Sequence, residues 1–223
     1  SLMGPRSGCR QMVTARLLFG WWMVKLVAIA SIVGVMGWSV INCIVGVQIL
    51  NHVSEGKVPL VVSIVIIGVS SLCISVAGIR FVLRVEALLS IPVMAAFLML
   101  YIVLASKYRY LSLADAAGES FATVKGNAFS FFAICYSTTS TWGSIASDYY
   151  ILFPQDTPDI QVFTLTFLGI FLPTSFVGII ALLIGNIAMT HTPWAEAYED
   201  LGMGGLLGAV FDPWGAGGKF LLV

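Results

Sequence analysis

Trp38 and Asn42 stand four residues apart in the apolar stretch GVMGWSVINCIVG, residues 34–46. That spacing puts both side chains on one face of a helix. An indole offers a flat face for stacking. An amide offers one acceptor and two donors, which suits the edge of a flat polar ring. The same residues also suit plain helix packing, with Gly34, Gly37 and Gly46 allowing close approach and Asn42 bonding a neighbouring helix. A second polar run, STTSTWGSIASDYY, occupies 137–150. Its hydroxyls can bond back to carbonyls of the preceding turn, which bends helices. Gly143, directly after Trp142, lets the backbone leave helical geometry at low steric cost. That pattern fits a discontinuous helix whose loosened middle lines a cavity. It also fits a continuous helix whose hydroxyls are satisfied internally. Asp148 follows, about 9 Å along the helix from Trp142. With Tyr149 and Tyr150 beside it, Asp148 reads as a headgroup-level anchor, or as a gate or proton-linked carboxylate.

The elements that position these residues are set by the distribution of charge. The 223 residues are 59% hydrophobic and 10% charged, whereas soluble domains carry about 25% charged residues. No Asp, Glu, Lys or Arg lies between Lys25 and Glu55, Lys57 and Arg80, Glu86 and Lys107, Lys125 and Asp148, or Asp159 and Glu196. Each gap reaches the roughly 20 residues that a helix needs to cross the bilayer core. The expectation is an all-α integral membrane protein with five transmembrane helices, near 22–50, 58–79, 87–106, 127–150 and 160–188.

Net charge is zero, which implies no nucleic-acid partner. Cys9, Cys43, Cys73 and Cys135 have no paired spacing, so neither a disulfide framework nor a metal site is expected. His52 and His191 fall in loops, and no HxxxH, CxxC or G-x-S-x-G pattern occurs. An enzyme reading therefore has no residues to rest on, and no cofactor is implied.

Loop cations orient the chain. Arg6, Arg10, Arg16, Lys25, Arg80 and Arg84 lie on one side of the expected spans. Lys57, Lys107, Arg109, Lys125 and Lys219 lie on the other, diluted by Asp115 and Glu119. This favours a cytoplasmic start for the first helix. Lys25 and Glu86, at span edges, read as interface anchors. Residues 189–218 hold Pro193, Pro213 and several glycines among Trp194, Tyr198 and Trp214. They are expected to form an interfacial stretch with its aromatics at headgroup depth. The closing KFLLV, 219–223, reads as the start of a further span, so the chain is expected to be the middle piece of a longer protein.

GPRSGCRQM at 4–12, GWSVIN at 37–42 and TWGSIASDYYILFPQDTP at 141–158 resemble the fungal purine–cytosine permeases of the nucleobase:cation symporter-1 family. The resemblance covers nearly the whole chain. It implies a twelve-helix, inverted-repeat fold like that of the bacterial leucine transporter, with these five spans as the third to seventh helices of one transporter domain, 1–223. It implies that Trp38 and Trp142 sandwich a flat substrate and that Asn42 bonds its polar edge. Thr141 and Gly143 are placed at the same substrate-binding site. The family's first and eighth helices, which supply the rest of the site, are missing here apart from the start of the eighth. The implied activity of the parent is proton-coupled symport of cytosine and of purines such as adenine, guanine or hypoxanthine. The implied location is the plasma membrane. The same family includes transporters of pyridoxine, uracil and allantoin-type compounds. The competing reading is a non-transporting membrane fragment in which Trp38, Asn42 and Trp142 only pack helices.

Overall fold

The computed structural model describes residues 2–112 and 120–222. Asp115 and Glu119 lie outside the described residues. Among those described, the secondary structure is helical. The first four helices are α1 (Met3–Ser7), α2 (Gln11–Val53), α3 (Leu60–Val76) and α4 (Ile79–Ser106). A short 3-10 turn, Tyr108–Tyr110, follows. Then come α5 (Phe121–Gly143), α6 (Ala146–Tyr150), α7 (Asp159–Thr190), α8 (Thr192–Phe211) and α9 (Gly215–Leu222), with a second 3-10 turn at Asp212–Trp214.

Three of these helices, α2, α4 and α7, are long and apolar enough to cross a membrane. At 1.5 Å per residue, α4 is about 42 Å long and α7 about 48 Å, against roughly 30 Å of hydrocarbon. The 17 residues of α3 reach only about 26 Å. The 23 residues of α5 are long enough, but hydroxyls dilute their apolar character.

Helix ends and charge gaps do not coincide, for a physical reason. Charges mark where a chain leaves hydrocarbon, whereas several helix starts are marked by glycine or proline, as α3 is by Pro59 and α4 by Gly78. The first 20 residues, expected as a polar loop, instead contain α1 and the opening turns of α2. The backbone break in α2 falls at Gly20, with φ 71° and ψ −179°. Likewise Arg80, Arg84 and Glu86 do not form a loop. They ride on the first turns of α4, which starts immediately after Gly78 at φ 90°. Pro92 in α4 and Pro173 in α7 sit inside their helices. Each removes one backbone donor and so frees a carbonyl one turn earlier.

The described residues pack as two units, one formed by 2–38 with 120–175 and the other by 39–112 with 176–222. In the second unit, Leu100, Val103 and Leu104 of α4 pack with Ile180, Ile184 and Ile187 of α7. Trp194, Leu206, Val210 and Phe211 of α8 complete that core. Trp194 is 4% exposed, so it packs inside this unit, while Tyr198 and Trp214 remain exposed. The 189–218 stretch is thus mostly helix, opened by Pro193 in the first turn of α8 and interrupted at Leu201 and Gly202. Polar clamps tie the helix ends. The Asn186 amide donates to Ser112 O at 2.8 Å and accepts from Ser112 N at 2.9 Å, and the Tyr101 hydroxyl donates to Phe176 O at 3.0 Å. Between lipid-embedded helices, such bonds and close packing replace the hydrophobic drive that water would supply.

In the first unit α1 lies against α6. A Cβ on Gly4 would come within 3.0 Å of Tyr150 Cβ and 3.1 Å of Ser147 O, so only glycine lets the two helices approach this closely.

Candidate functional site

The hydroxyl run stays helical. Thr138, Thr139 and Thr141 each donate to the carbonyl four residues earlier, at 3.0, 3.1 and 2.9 Å. Internal satisfaction, one of the two readings of STTST, is what the geometry contains. The break falls just beyond Trp142. Helix α5 ends at Gly143, Ile145 takes φ −124° and ψ 0°, and α6 restarts at Ala146. Ser144 in the gap donates to Thr141 O at 2.7 Å and accepts from the Ser31 hydroxyl of α2 at 2.9 Å.

Trp142 is 44% exposed and its ring rests against Tyr149, centroids 5.4 Å apart. Trp38 is half-buried in the first unit. It makes no ring–ring contact with Trp142, so the two indoles are not stacked on each other. Asn42 lies one turn further along the same helix, in the second unit, and is exposed. Thr141 is half-buried and Gly143 exposed, at the end of α5. Asp148 accepts the backbone N–H of Gln11 at 2.8 Å.

The first unit carries a groove of about 350 Å³ between α5 and α7. Thr139, one turn before Trp142, contributes one wall. Phe163, Thr166, Phe167, Phe171 and Thr174 contribute the other. The three phenyl rings stack along α7 at centroid spacings of 6.1 and 5.5 Å. Thr166 Oγ1 lies 2.8 Å from the Tyr150 hydroxyl, which connects this wall to α6. The Thr166 and Thr174 contribution was not legible in the sequence beyond the excess of hydroxyls in an otherwise apolar span.

The second unit holds a polar hollow of about 410 Å³ that includes Asn51, His52, Glu55, Asp200, Asp212 and Lys219. His52 ends α2 and meets Asp212 at 3.1 Å, and Lys219 donates to Glu55 at 2.7 Å. That bond, then the charges of Lys219 and Lys57, lowers the Glu55 pKa. Lys219 is raised in turn by the same bond. Elsewhere in this unit, His191 is buried between α7 and α8, with Lys107 Nζ 3.3 Å from Nε2. Burial, then the Lys107 charge, holds its imidazole below the usual 6.5.

Apolar helices long enough to cross a bilayer define the class first: this is an α-helical integral membrane protein. Its family follows from its relatives. The chain belongs with the purine–cytosine permeases and vitamin B6 transporter of the nucleobase:cation symporter-1 type. It is 57% identical over 224 residues to the vitamin B6 transporter TPN1 of Saccharomyces cerevisiae, covering 100% of this chain and 39% of that protein. It is 33% identical over 228 residues to the purine–cytosine permease fcyB of Emericella nidulans, covering 100% of this chain and 43% of that protein. Against the purine–cytosine permease FCY2 of Saccharomyces cerevisiae it is 25% identical over 216 residues, covering 96% and 40%. The chain therefore spans about two fifths of the length of these relatives. All three carry transport names and none an enzymatic one. No family profile matches the chain, and no solved structure matches it.

Proposed function

We propose that the whole protein is a secondary transporter for a small flat ring compound, with vitamin B6 as the leading substrate. The observation that carries this choice is the 57% identity across the entire chain to a vitamin B6 transporter, against 33% to a purine–cytosine permease. In this reading α2, α3, α4, α5 with α6, and α7 are five membrane crossings of an inverted-repeat fold. Trp38 and Trp142 stack on the two faces of the ring. Asn42 bonds its edge, and Thr141 and Gly143 shape the wall at the end of α5. Vitamin B6 carries a pyridine nitrogen that accepts and a ring hydroxyl that can donate, and a nucleobase edge likewise carries both kinds of group. The Asn42 amide serves either. Cytosine and purine transport is accordingly the second reading, favoured by the match of this chain across all its residues to fcyB. Proton coupling and a plasma-membrane location belong to the same proposal.

The test is uptake of labelled pyridoxine and labelled cytosine by cells expressing the whole protein, each in competition with hypoxanthine and uracil. Saturable pyridoxine uptake that excess cytosine leaves unaffected is expected. Cytosine uptake without pyridoxine uptake would give the nucleobase reading precedence. The same cells should take up substrate faster at acidic external pH and equally well without sodium. Dependence on sodium would overturn proton coupling.

A further inference from the structure

Asp148 and Trp142 belong to one short segment, and the contacts around it fix where the indole stands. Helix α5 ends one residue after Trp142, and α6 begins at Ala146. Without further ties, the turn between them would leave Trp142 at a loose helix end. Asp148 Oδ1 accepts the backbone N–H of Gln11 at 2.8 Å. Gln11 is the first residue of α2, and the first N–H groups of a helix have no partner inside it. Asp148 thus caps α2 from another helix, doing what an N-cap side chain does locally. The exchange is mutual, because Gln11 Oε1 accepts the backbone N–H of Ser147 at 3.3 Å. Ser147 is fully buried, and Gly4 of α1 lies directly against it and Tyr150. Tyr149, next to Asp148 in the chain, rests its ring against Trp142, and Ser144 in the gap also accepts from Ser31. The nearby Arg6 of α1 is ion-paired with Asp159 at the start of α7.

We propose that Asp148 is a positioning residue for Trp142. It works as a hydrogen-bond acceptor that joins the start of α2 to α6, and not as a proton carrier. The proposal rests on the reading of Trp142 as a substrate-stacking residue. Its chemical requirement is an acceptor oxygen aimed at the Gln11 N–H. Asp and Asn both supply one, and Ala does not.

The test compares Asp148→Asn with Asp148→Ala in the whole protein, with uptake normalised to the amount at the cell surface. Asp148→Ala is expected to raise KM about five- to tenfold, the scale of one lost internal hydrogen bond, with Vmax per surface copy nearly unchanged. Asp148→Asn should restore KM to within about twofold and keep the wild-type dependence of uptake on external pH. Loss of that pH dependence in Asp148→Asn would mean a proton carrier and overturn the proposal, as would an unchanged KM in Asp148→Ala where Trp142→Ala does impair uptake. A second measurement does not use substrate. In a background with Cys9, Cys43, Cys73 and Cys135 changed to Ala, the rate of maleimide labelling of Trp142→Cys is measured with each residue at position 148. Asp148→Ala should change the rate severalfold and Asp148→Asn should not. Equal rates in all three would overturn the positioning role. A changed rate combined with normal uptake by Trp142→Ala would leave positioning intact and remove Trp142 from the substrate site.

Discussion

At the scale of single residues, the indoles and the amide are expected to fail in different ways. Stacking needs a flat apolar face, which Phe keeps in part and Ala lacks. Trp38→Phe and Trp142→Phe should therefore weaken substrate uptake less than the corresponding Ala changes, read as KM in uptake assays. Asn42→Ala removes a directional partner and leaves the polar edge of the ring unsatisfied. A loss of about 1–3 kcal/mol, roughly fivefold to 150-fold in affinity, is the expected scale. Equal losses for Phe and Ala would argue that the indoles pack helices. Uptake unchanged in Asn42→Ala would remove the amide from the site. The exposure of Asn42 and Trp142 leaves both side chains free for such contacts.

At the scale of elements, close helix approach is written in glycine. In the second unit α8 carries the run GMGGLLG at 202–208, and α2 packs against it through Gln48 and His52. The Gly204 N–H donates to Gln48 Oε1 at 3.1 Å. A Cβ on Gly204 would stand 2.7 Å from Ile49 N and 2.8 Å from Gln48 C, which are backbone atoms that cannot turn aside. The three atoms nearest to a Cβ on Gly208 all belong to the His52 ring, which has rotamers available to it. Gly204→Ala should therefore destabilise the detergent-solubilised protein by about 1–3 kcal/mol, and Gly208→Ala by less. Thermal unfolding of the two variants side by side measures the difference. Matching Tm values would mean that α8 stands further from α2 than the glycine run requires.

At the scale of the whole molecule, orientation follows from cations near the spans. Arg6, Arg10, Arg16 and Lys25 precede or open the long apolar part of α2, and Arg80 and Arg84 open α4. Both helix starts should face the cytoplasm, and the α2–α3 turn around Gly56 should face outward. In a cysteine-free background, Gly56→Cys should react with a membrane-impermeant maleimide in intact cells, whereas Arg80→Cys should react only after permeabilisation. The reverse pattern would invert the topology. Many large apolar side chains of α2, α4 and α7 are exposed in the chain taken alone. That surface suits lipid, or further transmembrane helices in relatives more than twice as long.

Membrane residence was legible in the residue string, and Trp38, Asn42 and Trp142 could be picked out there as candidates, because both readings depend on local quantities. Charge-free runs report where hydrocarbon can surround a helix, and an indole or amide inside such a run stands out against its neighbours. Motif order carried the family for the same reason, as motifs are contiguous. Helix ends were less legible. Charged residues such as Arg80 and Arg84 are good helix formers, so α4 runs through them and stops only at Gly78. Least legible were the long-range contacts. The pairing of Gln11 with Asp148 joins residues 137 positions apart, and that of Gly204 with Gln48 joins residues 156 apart. Neither residue type announces such a partner. Each bond exists because packing brings an unpaired backbone N–H to an acceptor where no water competes for it, and only the folded chain makes that encounter.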